Sequence, residues 1–142
     1  MCDTYNLERF VEAQKSEYDV ALREIREGCK RSHWIWFVFP QMASLGFSYN
    51  ARFYGISCID EARAYLAHPI LGKRLRQITE ALLQHKDKDV LSILGAIDTL
   101  KVCSCMTLFD VVSPDDVFRQ VLETFYEDKR DAQTLALALV RG

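Results

Sequence analysis

Two stretches of the 142-residue chain bring together side chains able to do chemistry. The first is Lys30-Arg31-Ser32-His33-Trp34-Ile35-Trp36-Phe37-Val38-Phe39-Pro40-Gln41, which places both tryptophans of the protein beside two cations, a serine and a histidine. The face of an indole can stack on a nucleobase for about 1–3 kcal/mol per base. Arg31 can hold a phosphate through two parallel N–H bonds, with Lys30 beside it as a point charge. Imidazole titrates near neutral pH, which makes His33 and His68 candidate proton carriers, with capping of the next helix as the competing role of His33. His68 stands before Pro69 and is expected to cap a helix instead. The second stretch is Asp98 to Phe109, where Asp98, Lys101 and Cys105 follow i, i+3, i+7 spacing and share one helical face. Lys101 either pairs with Asp98 or faces an anion held jointly with Arg31. Ser104 and Thr107 sit among apolar neighbours, where hydroxyls bond the carbonyls of the preceding turn or line a pocket wall.

These residues describe a pocket lined by 30–41 and 98–107 for an anionic small molecule of the nucleotide or ADP-ribose kind. Arg31 and Lys101 would hold charge, Trp34 and Trp36 would stack, Ser32, Gln41 and Ser104 would donate or accept hydrogen bonds, and His33 or Asp98 would move protons. An enzyme of this type would be a metal-independent hydrolase or transferase, with no cofactor. The competing reading is that the aromatic run is core and its cations reach out to water; composition alone favours it, because aromatics dominate ordinary interiors. The alternative function is a non-catalytic module whose exposed aromatic surface engages another protein. A Ser–His–acid triad can be drawn on paper from Ser32 or Ser104, His33 or His68, and Asp98 or Asp131, but a triad is recognised by geometry.

Composition removes several classes. A net charge of −2 and no basic stripe do not favour nucleic acid. No apolar run approaches the roughly 18 residues of a membrane span, and the start, Met1 to Asn6, has neither the basic residue nor the apolar centre of a secretory signal. Five scattered cysteines with no CxxC pair are expected to be reduced thiols of a cytoplasmic protein, and their spacing does not suit zinc. No Walker loop, GxGxxG, HExxH or GxSxG pattern occurs. Oligomeric state is left open by the sequence.

The elements that must position the site read as helices. Leu7, Phe10, Val11, Gln14, Tyr18, Ala21, Leu22 and Ile25 keep the period of an amphipathic helix that Gly28 can stop. Gln14 is the polar member of that stripe and is expected either at its edge, the default, or aimed into a pocket. The apolar run 34–39 fits a short strand or a buried helix segment equally. Residues 41–56 predict a long, irregular connection. Ser57 with Asp60 and Glu61 predicts a helix start, and His68-Pro69 ends that helix and opens the next, with Leu71, Leu75, Ile78 and Leu82 on one side. After a charged turn at 85–89 come a short helix stopped by Gly95 and a helix over about 98–111. Ser113-Pro114-Asp115-Asp116 predicts a further start with serine as cap, and Asp131 a last one ending in Leu135, Leu137, Leu139 and Val140. The whole predicts a mainly α chain: one domain, 1–142, of about seven helices.

The chain also resembles the domain-of-unknown-function family 1810 over nearly its whole length. The resemblance rests on Leu7-Glu8-Arg9-Phe10-Val11-Glu12-Ala13-Gln14, on Tyr18 with Ala21-Leu22, and on Ser32-His33-Trp34-x-Trp36-Phe37-Val38-Phe39-Pro40-Gln41. It continues through Tyr54-Gly55-Ile56, Ala64-Tyr65-Leu66-Ala67-His68-Pro69-x-Leu71-Gly72, Asp98 with Lys101, Ser104-x-Met106-Thr107-Leu108-Phe109, and Asp131 with Thr134-Leu135. It implies a mainly helical fold and inclines 34–39 toward helix; it implies no activity. Cys103 and Cys105 depart from the pattern, standing where a basic residue and a second serine are common, which argues against a serine pair there.

Overall fold

Apolar spacing dictates the first helix, α1 (Glu8–Glu27), which Gly28 closes in the left-handed region at φ 78°. The computed structural model describes residues 4–139; Cys2 and Val140 lie outside them. The run after α1 is helical: Ile35–Val38 form the single turn α2. The 41–56 connection is more ordered than its composition predicts. A 3-10 turn at Ala43–Leu45 and a short helix, α3 (Tyr49–Phe53), are clasped by a parallel bridge between Met42 and Ile56. The short helices α2 and α3 account for the difference between the seven expected and the nine found among the described residues.

The remaining helices fall where their signals lie: α4 (Ile59–Ala67), α5 (Leu71–Leu83), α6 (Val90–Leu94), α7 (Ala96–Val112), α8 (Val117–Phe125) and α9 (Ala132–Leu139). Several caps differ from expectation in which atom accepts. Glu61, not Ser57, is the acceptor at α4: its Oε1 takes the Ser57 N–H at 2.9 Å and the Ser57 hydroxyl at 2.7 Å. Asp116 caps α8 through the Val117 N–H at 2.7 Å, while Ser113 donates to that same carboxylate. A carboxylate accepts more strongly than a hydroxyl, so it displaces serine from the role. Asp131 caps α9 as expected, through the Thr134 N–H, and His68 Nδ1 accepts from Ile70 and Leu71 at the start of α5.

Helix α7 is the centre of the molecule and packs against α4, α6, α8 and α9. Its Phe109 joins Tyr65 and Phe118 in a tilted aromatic cluster that Phe10 of α1 extends edge-on. Gln14 is not at an edge. It is fully buried, donates to the Phe37 carbonyl at 2.7 Å and to Tyr65 Oη, and accepts from Arg74. A buried amide is tolerated because its donors and acceptor are all used. Burial of Tyr65 and Tyr18 raises both phenols, Tyr18 to about 12.

Candidate functional site

Only part of the aromatic stretch is core. Trp34 is fully buried, with its Nε1 donating to Glu24 Oε1 at 2.9 Å, whereas Trp36, two residues on and so on the other side of a helical turn, reaches partly out to solvent. Glu24 is the organiser of this segment. Its buried carboxylate accepts from Trp34 Nε1, from the Arg31 and Ser32 N–H groups at 2.9 and 3.0 Å, and from the Ser32 hydroxyl at 2.6 Å. Burial alone would raise the Glu24 pKa, but these four bonds outweigh it and hold the group at about 2.

Lys30 fastens the same segment to the neighbouring helices. Its N–H donates to Ile93 O at 2.8 Å, its ammonium bonds Ser32 O, and it forms an ion pair with Asp98 Oδ2 at 2.7 Å. Asp98 lies in the first turn of α7, whose start is set by Gly95 at φ 84°, a conformation that glycine adopts without Cβ strain. One turn on, Lys101 lies 3.8 Å from Asp98 Oδ1, and its ammonium stands 3.6 Å over the Trp36 ring. Burial lowers the Lys101 pKa, Asp98 opposes this, and Lys30 adds to the depression.

These groups surround a cleft of about 480 Å³ lined by Lys30, His33, Trp36, Gly95, Asp98 and Lys101, among others. A second depression of about 360 Å³ shares Lys101 and Ile97 with the first, and its polar lining includes Gln41, Ser104, Asp131 and Gln133. Helix α7 therefore supplies a common wall to both.

His33, Trp36, Asp98 and Lys101 thus meet at one cleft, and Gln41 and Ser104 meet at its neighbour. Arg31, Ser32 and Trp34 are not brought there. Arg31 turns outward and pairs with Glu27 at 2.7 Å, Ser32 is spent on Glu24, and Trp34 is interior. The bonds a Ser–His–acid triad would need are made elsewhere: Ser104 donates to Leu100 O, His68 caps α5 and Asp131 caps α9. The expected contact of Lys101 with Asp98 is present but loose, because Lys30 holds the same carboxylate more closely. Glu24 was not singled out from the sequence, although a carboxylate three residues after Ala21 on an apolar stripe, just before a basic stretch, is its signal. Among the described residues no three His, Cys, Asp or Glu side chains converge as a metal site needs, and no helix is long and apolar enough to cross a membrane.

A helical single-domain fold of this kind, with its signature aromatic stretch wrapped onto the start of a central helix, defines a family. The chain belongs to it: residues 4–138 match the family described as "Protein of unknown function (DUF1810)". Among solved structures it is similar to that of the conserved hypothetical protein Rv1873 from Mycobacterium tuberculosis, with 43% sequence identity and a TM-score of 0.95. The likeness covers 98% of this chain and 100% of that one. No curated protein matches. Neither description carries an activity, so function is argued from the cleft.

Proposed function

We propose that the cleft at the start of α7 binds an anionic small molecule of the nucleotide or ADP-ribose kind, with Lys101 as its main charged contact. The observation that carries this is the imbalance of charge: two ammonium groups and one carboxylate line a cleft of about 480 Å³, and the carboxylate is committed to Lys30. Lys101 is left with a loose partner and an aromatic face. A phosphate oxygen about 4 Å from such an ammonium gains roughly 4 kcal/mol gross at the effective dielectric of a protein surface. A base that stacks on Trp36 takes the place of the ammonium now over the ring, and the freed ammonium turns to the phosphate. His33 reaches the same cleft without a carboxylate partner of its own there, which makes it the group to carry a proton if the bound molecule is also processed.

The test is a thermal-shift series with ADP-ribose, ADP, AMP and inorganic phosphate on the wild type and on Lys101→Ala. The reading requires stabilisation by at least one phosphate compound that Lys101→Ala loses. Absence of any shift, or an equal shift in the variant, rejects it.

The second reading, a protein-interaction module, draws on Ile97 and Leu100, which are 69% and 71% exposed on the same wall of α7. Apolar side chains this exposed on a central helix are what a partner surface would cover. An Ile97→Ser/Leu100→Ser variant that abolishes a partner's binding yet keeps the phosphate-dependent shift would support this reading over the first.

A further inference from the structure

The cleft described above contains a primary amine in an unusual setting, and the reading that follows rests on that cleft being a ligand site. Three features distinguish Lys101 from an ordinary surface lysine. Its side chain is only 20% exposed, yet the ammonium lines the cleft. Its nearest carboxylate oxygen is 3.8 Å away, on a group that Lys30 binds at 2.7 Å, so Lys101 shares that carboxylate with a second cation that holds it more closely. The second cation is itself beside the first. Burial and a neighbouring cation are the two devices by which an amine is made available as a free base near neutral pH, and the Lys101 pKa lies below its ordinary value for those reasons, burial foremost. Lys30 lacks this freedom: its side chain is 7% exposed, and its ammonium is held by Asp98 and by the Ser32 carbonyl.

We infer that Lys101 is a carbonyl-reactive amine that forms a reversible imine with an anionic aldehyde bound in the cleft, a class that includes the open-chain form of a phosphorylated aldose. The step balances without an added oxidant or reductant. The amine nitrogen bonds to the carbonyl carbon, the carbonyl oxygen leaves as water with the two protons of the nitrogen, and the imine returns to amine and aldehyde by the reverse hydrolysis. Asp98 and His33 line the cleft as the groups able to pass the protons of the dehydration. Trp36 lies under the Lys101 nitrogen, where its ring shields one face of the adduct.

The test uses the whole protein, glyoxylate as the anionic aldehyde, glycolaldehyde as a neutral one, and sodium cyanoborohydride to reduce the imine to a stable secondary amine. Peptide mapping then gives the rate at each lysine. Lys15 and Lys129, with side chains 68% and 81% exposed, are the reference for ordinary reactivity. The expectation is that glyoxylate labels Lys101 severalfold faster than either reference lysine, that it prefers Lys101 more than glycolaldehyde does, and that ADP slows it. The reading is site-resolved on the wild type and does not depend on a variant folding; in Lys101→Arg no other lysine should acquire the fast rate. Labelling of Lys101 no faster than of Lys15 and Lys129 overturns the inference. If ADP still raises the melting temperature in that case, the anion site survives and only the reactive amine is lost. Equal labelling of Lys101 by the two aldehydes, with no protection by ADP, overturns the anionic class of the ligand and the anion site with it.

Discussion

Replacing Glu24 by glutamine should destabilise the protein by about 3 kcal/mol at pH 7, and the loss should shrink with acid. The figure follows from the four bonds that converge on the carboxylate. They lower its pKa from 4.5 to about 2, and each unit of such a shift is worth about 1.4 kcal/mol of stability. The sign is that of a depressed carboxylate: the stabilisation is complete above the unfolded pKa of 4.5 and drains away as pH falls toward 2. At pH 3 about 1.5 kcal/mol of it should remain. Glutamine keeps the shape but turns an N–H donor toward a site built only of donors, so at pH 7 it cannot recover the charge-assisted bonds. Unfolding entropy for a chain of 142 residues converts 3 kcal/mol into roughly 10 °C of melting temperature. Thermal unfolding of both proteins at pH 7, 5 and 3, followed by near-ultraviolet circular dichroism of the indoles, measures it. A variant within about 2 °C of wild type at pH 7, or a gap that does not narrow on acidification, would refute the role given to Glu24.

Other substitutions test the frame and the cleft separately. Gly72→Ala should cost about 3 kcal/mol by urea unfolding, because a Cβ there would meet the Leu66 carbonyl oxygen at 2.0 Å and force α4 and α5 apart. Asp116→Ala should cost about 1–2 kcal/mol in the same assay, since it removes the α8 cap and the ion pair with Arg76 together. Lys101→Ala should weaken binding of ADP-ribose roughly tenfold to a hundredfold by calorimetry, the worth of one charge-assisted contact, and should change the melting temperature of the free protein by only a few degrees because its ion pair is loose.

Helices whose apolar residues repeat at 3.6-residue spacing were legible from sequence, as α1 and α5 illustrate. So were stops and starts with a local signal, such as Gly28, Gly95 and Asp131. The 34–39 run was not, because six consecutive apolar residues have no period to read, and Trp34, just before the four-residue turn α2, is buried while Trp36 within it is partly exposed. What decided between them was Glu24, ten residues upstream of Trp34, whose bond to the indole is a tertiary fact. The same holds for the cleft. Asp98 and Lys101 share a helical face by spacing alone, but that Lys30 would take the carboxylate and that Arg31 would turn to Glu27 depends on how α1 ends and where the chain goes next.

The central claim is that the Lys101–Trp36 cleft takes an anionic small molecule, and the two indole N–H resonances of the protein test it directly. In a nitrogen-15 correlation spectrum titrated with ADP-ribose, the Trp36 indole signal should move and saturate while the Trp34 signal, buried against Glu24, stays in place; Lys101→Ala should abolish the movement. Two unmoved indole signals at millimolar ligand, or a Trp36 shift that persists undiminished in Lys101→Ala, would contradict the account.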